Sequence, residues 1–141
     1  MKRLLIFLLL IAASAFAIDR AVSFAARWAV EASPNRFSAL YFGEMEAEIL
    51  ILGNSRADSH LDPGWIEAET GLRTVNLGLG GNHMALSAAL FEDYLDRHPA
   101  PRFAIVEVSS ATEDLDDMGD FIVFSYASDR LSSLAREIAP K

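Results

Sequence analysis

The residues Ile49-Leu50-Ile51-Leu52-Gly53-Asn54-Ser55 lead from an apolar run through a glycine onto a serine. A serine at the carboxyl end of a buried strand is where an α/β protein places a nucleophile. The sheet fixes the strand, and the following helix directs backbone N–H groups at the same spot. The hydroxyl is a poor nucleophile alone and needs a base, usually a histidine oriented by a carboxylate. The competing reading of Ser55 is a helix N-cap, because a strand, Gly-Asn and then a serine opening a helix is also what capping chemistry selects. Asn54 and Arg56 flank it, either to hydrogen-bond a substrate carbonyl or to tie down the turn.

A second candidate element is Gly78-Leu79-Gly80-Gly81, followed by Asn82 and His83. A side chain at Gly81 would obstruct the approach of a backbone donor to a developing oxyanion, and the amino end of the next helix adds a favourable partial charge. The dinucleotide pattern Gly-x-Gly-x-x-Gly would need glycine at position 83, where the chain has histidine.

Of the three histidines, His60 lies more than a helical turn beyond Ser55 and reads as a surface residue. His83 is placed to line the mouth of the sheet or to be an ordinary polar position. His98, before Pro99, suits a helix carboxyl terminus. No pair of histidines has metal-ligand spacing, and the acidic cluster from Glu113 to Asp120 lacks the loop spacing of an EF-hand, so it reads as a solvated loop. No metal and no cofactor are expected.

Positioning these residues requires a sheet. Strands are expected at about Glu48 to Leu52, Thr74 to Leu77 and Phe103 to Val108, the last a near-continuous apolar run as for a strand covered on both faces. Between them, Asp62-Pro63-Gly64 opens a short helix around Trp65 to Thr70 that Gly71 ends. A longer helix runs from near Asn82 to His98, with Pro99 and Pro101 stopping it. Strand and helix alternating at this spacing means right-handed βαβ units and a parallel sheet. Three strands make a small sheet with a bare edge. A final helix is expected from Arg130 to Ile138, after an aromatic stretch from Phe121 to Tyr126.

The 141 residues carry a net charge of −8 and no cysteine. Disulfides, thiolate metal sites and a cysteine nucleophile are excluded, and the acidic balance disfavours nucleic acid or another polyanion. Met1-Lys2-Arg3, the uncharged Leu4 to Ala17 and the small-x-small Ala15-Phe16-Ala17 have the form of an export signal. The uncharged run is shorter than the roughly 20 residues of a usual spanning helix, which favours cleavage over an anchor. Either way the remainder lies outside the cytoplasmic membrane. Asp19 to Ala32, with apolar residues on a helical period, reads as a helix leaving the membrane, ended by Ser33-Pro34-Asn35.

Taken together, Gly53-Asn54-Ser55 after a strand, Val75-Asn76-Leu77-Gly78-Leu79-Gly80-Gly81, and Phe103-Ala104-Ile105-Val106-Glu107-Val108 resemble the first three blocks of the SGNH (GDSL-like) hydrolases. The closer likeness is to the envelope-facing branch, whose members begin with a hydrophobic segment, often kept as an anchor, and cut or transfer O-linked acyl groups. The likeness covers Ala47 to Ser110. It implies a three-layer α/β sandwich with a parallel sheet, the flavodoxin-like SGNH fold, incomplete at its carboxyl end. Residues 1–18 would be the signal or anchor, 19–46 a helix and connector, and 47–141 the partial domain.

The resemblance carries the nucleophile role onto Ser55 and the oxyanion role onto the backbone N–H groups of Ser55 and Gly81, with Asn54, Arg56, Asn82, His83 and Ser109 near the substrate. Two positions depart from the family. Its Gly-x-Asn-Asp after the third strand is here Ser109-Ser110-Ala111-Thr112, leaving Asn82 or Ser109 to stand in as donor. Its base comes from a late Asp-x-x-His, and no histidine follows His98. The expectation is the amino-terminal portion of an exported serine esterase or O-acyltransferase, inactive alone, acting on an acylated small molecule or envelope glycan. The alternative is a non-catalytic envelope binding module of the same fold.

Overall fold

A computed structural model of the chain describes residues 2–109 and 118–138, apart from the side chains of Lys2 and Asp120. With neither glycine nor proline between Lys2 and Glu31, the first segment is one unbroken helix, α1 (Lys2–Glu31), of 30 residues. The charged pair Asp19 and Arg20 does not break a helix of good formers. At 1.5 Å per residue α1 is about 45 Å long. It is long and apolar enough to cross a membrane, and its composition suits a signal peptide or an anchor. Residues 1–33 and 34–141 form separate compact units.

The second unit opens on Asn35, whose side chain accepts from Phe37 N–H and Ser38 N–H and so caps α2 (Arg36–Phe42). The sheet follows: β1 (Ile49–Leu52), β2 (Thr74–Asn76) and β3 (Phe103–Val106), all parallel, in the order β2-β1-β3. Ile49 sits opposite Thr74 on one side and Phe103 on the other. Between β1 and β2 lie α3 (Ser55–His60) and α4 (Pro63–Thr70). Asp62 caps α4, and Gly71 ends it at φ 70°, in the left-handed region glycine favours. Helix α5 (Met84–Arg97) joins β2 to β3. The steps from β1 to β2 and from β2 to β3 run in opposite directions across the sheet, so right-handed crossovers place α3 and α4 on one face and α5 on the other.

Successive strand residues alternate between those faces. Ile49 and Ile51 pack with Ala57, Leu61, Ile66 and Leu72, while Leu50 and Leu52 are equally buried on the opposite side. Strand β3 differs from expectation. Its register puts Phe103 and Ile105 on the face of Ile49 and Ile51, yet all four of its residues are exposed, Phe103 by 53%. The cluster on that face is built on β1, α3 and α4 and does not extend to the edge strand. An apolar run therefore marks a strand here without marking its cover.

A 3₁₀ turn (Gly119–Phe124) and α6 (Asp129–Ile138) complete the description. Arg130 pins α6 to α5 through Glu92, Asp93 and Asp96, at 2.6, 2.9 and 2.6 Å. Hydrogen bonds to Asp96, Asp93 and Glu92 hold its guanidinium firmly protonated. The buried Asp93 also accepts from Tyr41 Oη at 2.9 Å, and burial, reinforced by this carboxylate, pushes the Tyr41 hydroxyl far above its ordinary pKa. Ser110 to Thr112, and the acidic positions Glu113, Asp114, Asp116 and Asp117, lie outside the described residues.

Candidate functional site

Parallel strands deliver all their carboxyl ends to one rim, and with the order β2-β1-β3 the connections diverge between β1 and β3, where α/β sheets place their ligands. Ser55 follows β1 at that divergence and is exposed. The cap of α3 is Asn54, whose Oδ1 accepts from Arg56 N–H at 2.9 Å. The capping alternative for Ser55 is thereby corrected by one position. Asn54 carries both an amide acceptor and a β-region backbone, so it caps and leaves Ser55 as the first helical residue. Among the described residues the Ser55 hydroxyl makes no hydrogen bond, and the backbone N–H groups of Ser55 and Gly81 have no partner. An orphan N–H at the start of a helix is available to a ligand.

The glycine turn lies alongside. A Cβ built on Gly80 would come within 3.9 Å of Ser55 Cβ, so the two turns face each other at contact distance. Gly78 is fixed by close approach: a Cβ there would lie 2.7 Å from Ala57 Cβ and 2.9 Å from Asp58 N. At Gly81 the backbone itself calls for glycine. Its φ of 74° is left-handed, while a Cβ there would meet nothing within 4 Å. The conformation alone is enough to select glycine here.

Asn82 is buried, and its Nδ2 donates to Gly53 O and Ser87 Oγ, both at 3.0 Å. It ties the glycine turn to the β1 turn from inside. Because the helix begins at Met84, His83 takes the N-cap position of α5 and is half-buried. Arg56 is exposed, as is His60. His98 caps the far end of α5 and its Nε2 donates to Leu40 O at 2.7 Å, away from the rim.

Two contributors were not singled out from sequence. Arg36 Nη2 donates to Asp58 Oδ1 and to Gly78 O, both at 2.6 Å, joining α2 to α3 and to the glycine turn. Its partners lie 22 and 42 positions away, so no local pattern announces it. Glu107, just past β3, accepts from Ser109 N–H through Oε1 and from Ser109 Oγ through Oε2, each at 2.9 Å, and Ser109 Oγ accepts from Asn54 Nδ2 at 3.0 Å. A carboxylate ending an apolar strand, two residues before a serine, is the available signal.

At the opposite end of the sheet, Glu48 accepts from Arg73 N–H and Arg102 Nη1, each at 3.2 Å. These bonds, the backbone N–H of Arg73 foremost, hold its carboxyl below the ordinary carboxylate range. A cavity of about 260 Å³ lies on the α5–α6 side, lined by Asp93, Asp96, Arg97, Tyr126, Ser128 and Arg130 among others. Arg130 already engages three carboxylates there and Arg97 donates to Ala127 O.

Comparison with protein-family models, with curated proteins and with solved structures finds no match for this chain.

Proposed function

We propose that the chain carries the nucleophile half of an SGNH-like serine esterase or O-acyltransferase of the cell envelope, exported or anchored through α1 and acting on an acyl ester of a small molecule or glycan. One observation carries the reading: Ser55 stands exposed at the divergence of the crossovers, relieved of capping by Asn54, with the glycine turn in contact. The order β2-β1-β3 adds support, being the first three strands of the flavodoxin-like arrangement to which the SGNH sandwich belongs.

In this reading Ser55 Oγ attacks the acyl carbonyl carbon and its proton passes to a base. The carbonyl oxygen becomes an oxyanion held by the N–H groups of Ser55 and Gly81. Collapse expels the alcohol, which takes the proton back, and leaves an acyl-Ser55 ester for water or an acceptor alcohol. Asn54, Asn82 and Ser109 hold the turns, while Arg56 and His83 border the opening.

The family's histidine base has no counterpart after His98, so the test supplies one. Imidazole added with p-nitrophenyl acetate should give an acetyl group localised by mass spectrometry to Ser55, with little modification when imidazole is omitted and none at that position in Ser55→Ala. An unmodified Ser55 at saturating imidazole would return the opening to the binding-module alternative.

A further inference from the structure

The geometry points to Glu107 as a positioning residue for Ser55, acting through Ser109 and Asn54; the inference rests on the nucleophile reading of Ser55. Every bond of the path is short and has a fixed direction. The Glu107 carboxylate has only acceptors, so Ser109 must donate both its N–H and its Oγ–H to it, at 2.9 Å each. With its proton spent, Ser109 Oγ faces Asn54 as an acceptor and takes the Nδ2 hydrogen at 3.0 Å. Asn54 is thereby oriented with Oδ1 toward Arg56 N–H, at 2.9 Å, which is the cap of α3.

The consequence falls on one peptide plane. The Asn54 carbonyl accepts from Asp58 N–H at 3.1 Å, and the Asn54 side chain is held at both its amide atoms. The N–H on the other side of that plane is the Ser55 oxyanion donor. Gly53 allows the strand ends to meet closely enough: a Cβ on it, at φ 138°, would lie 2.6 Å from Glu107 Cβ. The path thus bridges β1 and β3 across the divergence point and sets the direction of a donor that the reaction needs.

A carboxamide in place of the carboxylate reverses the path. Gln at 107 keeps one acceptor for Ser109 N–H but presents an NH₂ to Ser109 Oγ. The hydroxyl then donates to Asn54, whose amide must turn and aim NH₂ at Arg56 N–H, breaking the cap.

The test uses the 141-residue chain, its Glu107→Gln, Ser109→Ala and Ser109→Thr variants, and two readouts. The first is NMR of the Asn54 side-chain amide and of Arg56 N–H exchange, which needs no chemistry at Ser55. The second is the imidazole-supported acetylation of Ser55 by p-nitrophenyl acetate. Glu107→Gln and Ser109→Ala should shift the Asn54 resonances, expose Arg56 N–H and slow acetylation by about 10- to 100-fold, the range expected for a misplaced reacting group. Ser109→Thr, which keeps the hydroxyl, should restore both. Should Glu107→Gln fail to fold, Ser109→Ala, with the carboxylate in place, decides alone. The inference is overturned if Glu107→Gln or Ser109→Ala acetylates at the parent rate, or if Ser109→Thr is as slow as Ser109→Ala. If even the parent is never acetylated, the nucleophile reading has failed; unchanged Asn54 resonances in the variants would then separately overturn the path.

Discussion

At the amino end of the sheet Glu48 closes the strands upon themselves: its backbone and carboxylate take up Arg73 and Arg102, which precede the two neighbouring strands. At the carboxyl end β1 and β2 lead into glycine turns, with an exposed hydroxyl and two N–H groups without partners among the described residues. The first end is tied together by these bonds. The second is held in place from behind, by Arg36, Asn82 and the Glu107 path, while its front is left open. The difference separates holding from openness: buried or paired groups fix the turns, and in the proposed reading the unpaired groups are those that meet a substrate.

Breaking the open end from behind should have the largest effect. Gly78→Ala drives a Cβ against Ala57 Cβ, Asn76 Oδ1 and the Asp58 backbone, and the one side-chain end among them, that of Asn76, is held by its Nδ2 bonds to Ala57 O and Leu61 O. Overpacking of this kind costs about 1–3 kcal/mol, so the urea midpoint should fall and Ser55 acetylation with it. A midpoint equal to the parent's would mean that Gly78 is not packed against α3.

Glu48→Gln probes the closed end and should be milder, since Arg102 is largely exposed and the pair is screened. A carboxyl whose pKa is lowered on folding adds stability above its unfolded pKa and loses it as the pH falls through the folded one. The variant should therefore be less stable than the parent near neutrality, with the gap closing as the pH falls through the lowered folded-state range of this carboxyl, as urea unfolding at neutral and at acid pH would show. Acetylation of Ser55 should be unchanged. A gap that widens in acid would contradict the assignment.

Much of this contrast was legible in the sequence, because it rests on local chemistry. The strand ending on Gly53-Asn54-Ser55, the Asp62 and Gly71 ends of α4 and the turn at Gly78 to Gly81 all stand where their residue types require. What escaped depends on partners distant in sequence or on competition between neighbours. Asn54 outcompetes Ser55 for the cap, a choice two adjacent cap formers leave open. Phe103 to Val106 and Ile49 to Leu52 are equally apolar, yet only the central strand is covered. Arg36 and the bond from Asn54 to Ser109 span 22 positions or more. Continuity of α1 follows from the absence of glycine and proline along it.

The most direct measurement is a ¹⁵N spectrum of the chain titrated with phenylboronate in the presence of imidazole, a tetrahedral anion on a serine oxygen being the nearest stable likeness of the acylation intermediate. The account predicts that the amides of Ser55 and Gly81 shift together, that those of Glu48, Arg73 and Arg102 stay in place, and that Ser55→Ala abolishes the effect. Unmoved Ser55 and Gly81 amides, or the same shifts in Ser55→Ala, would contradict it.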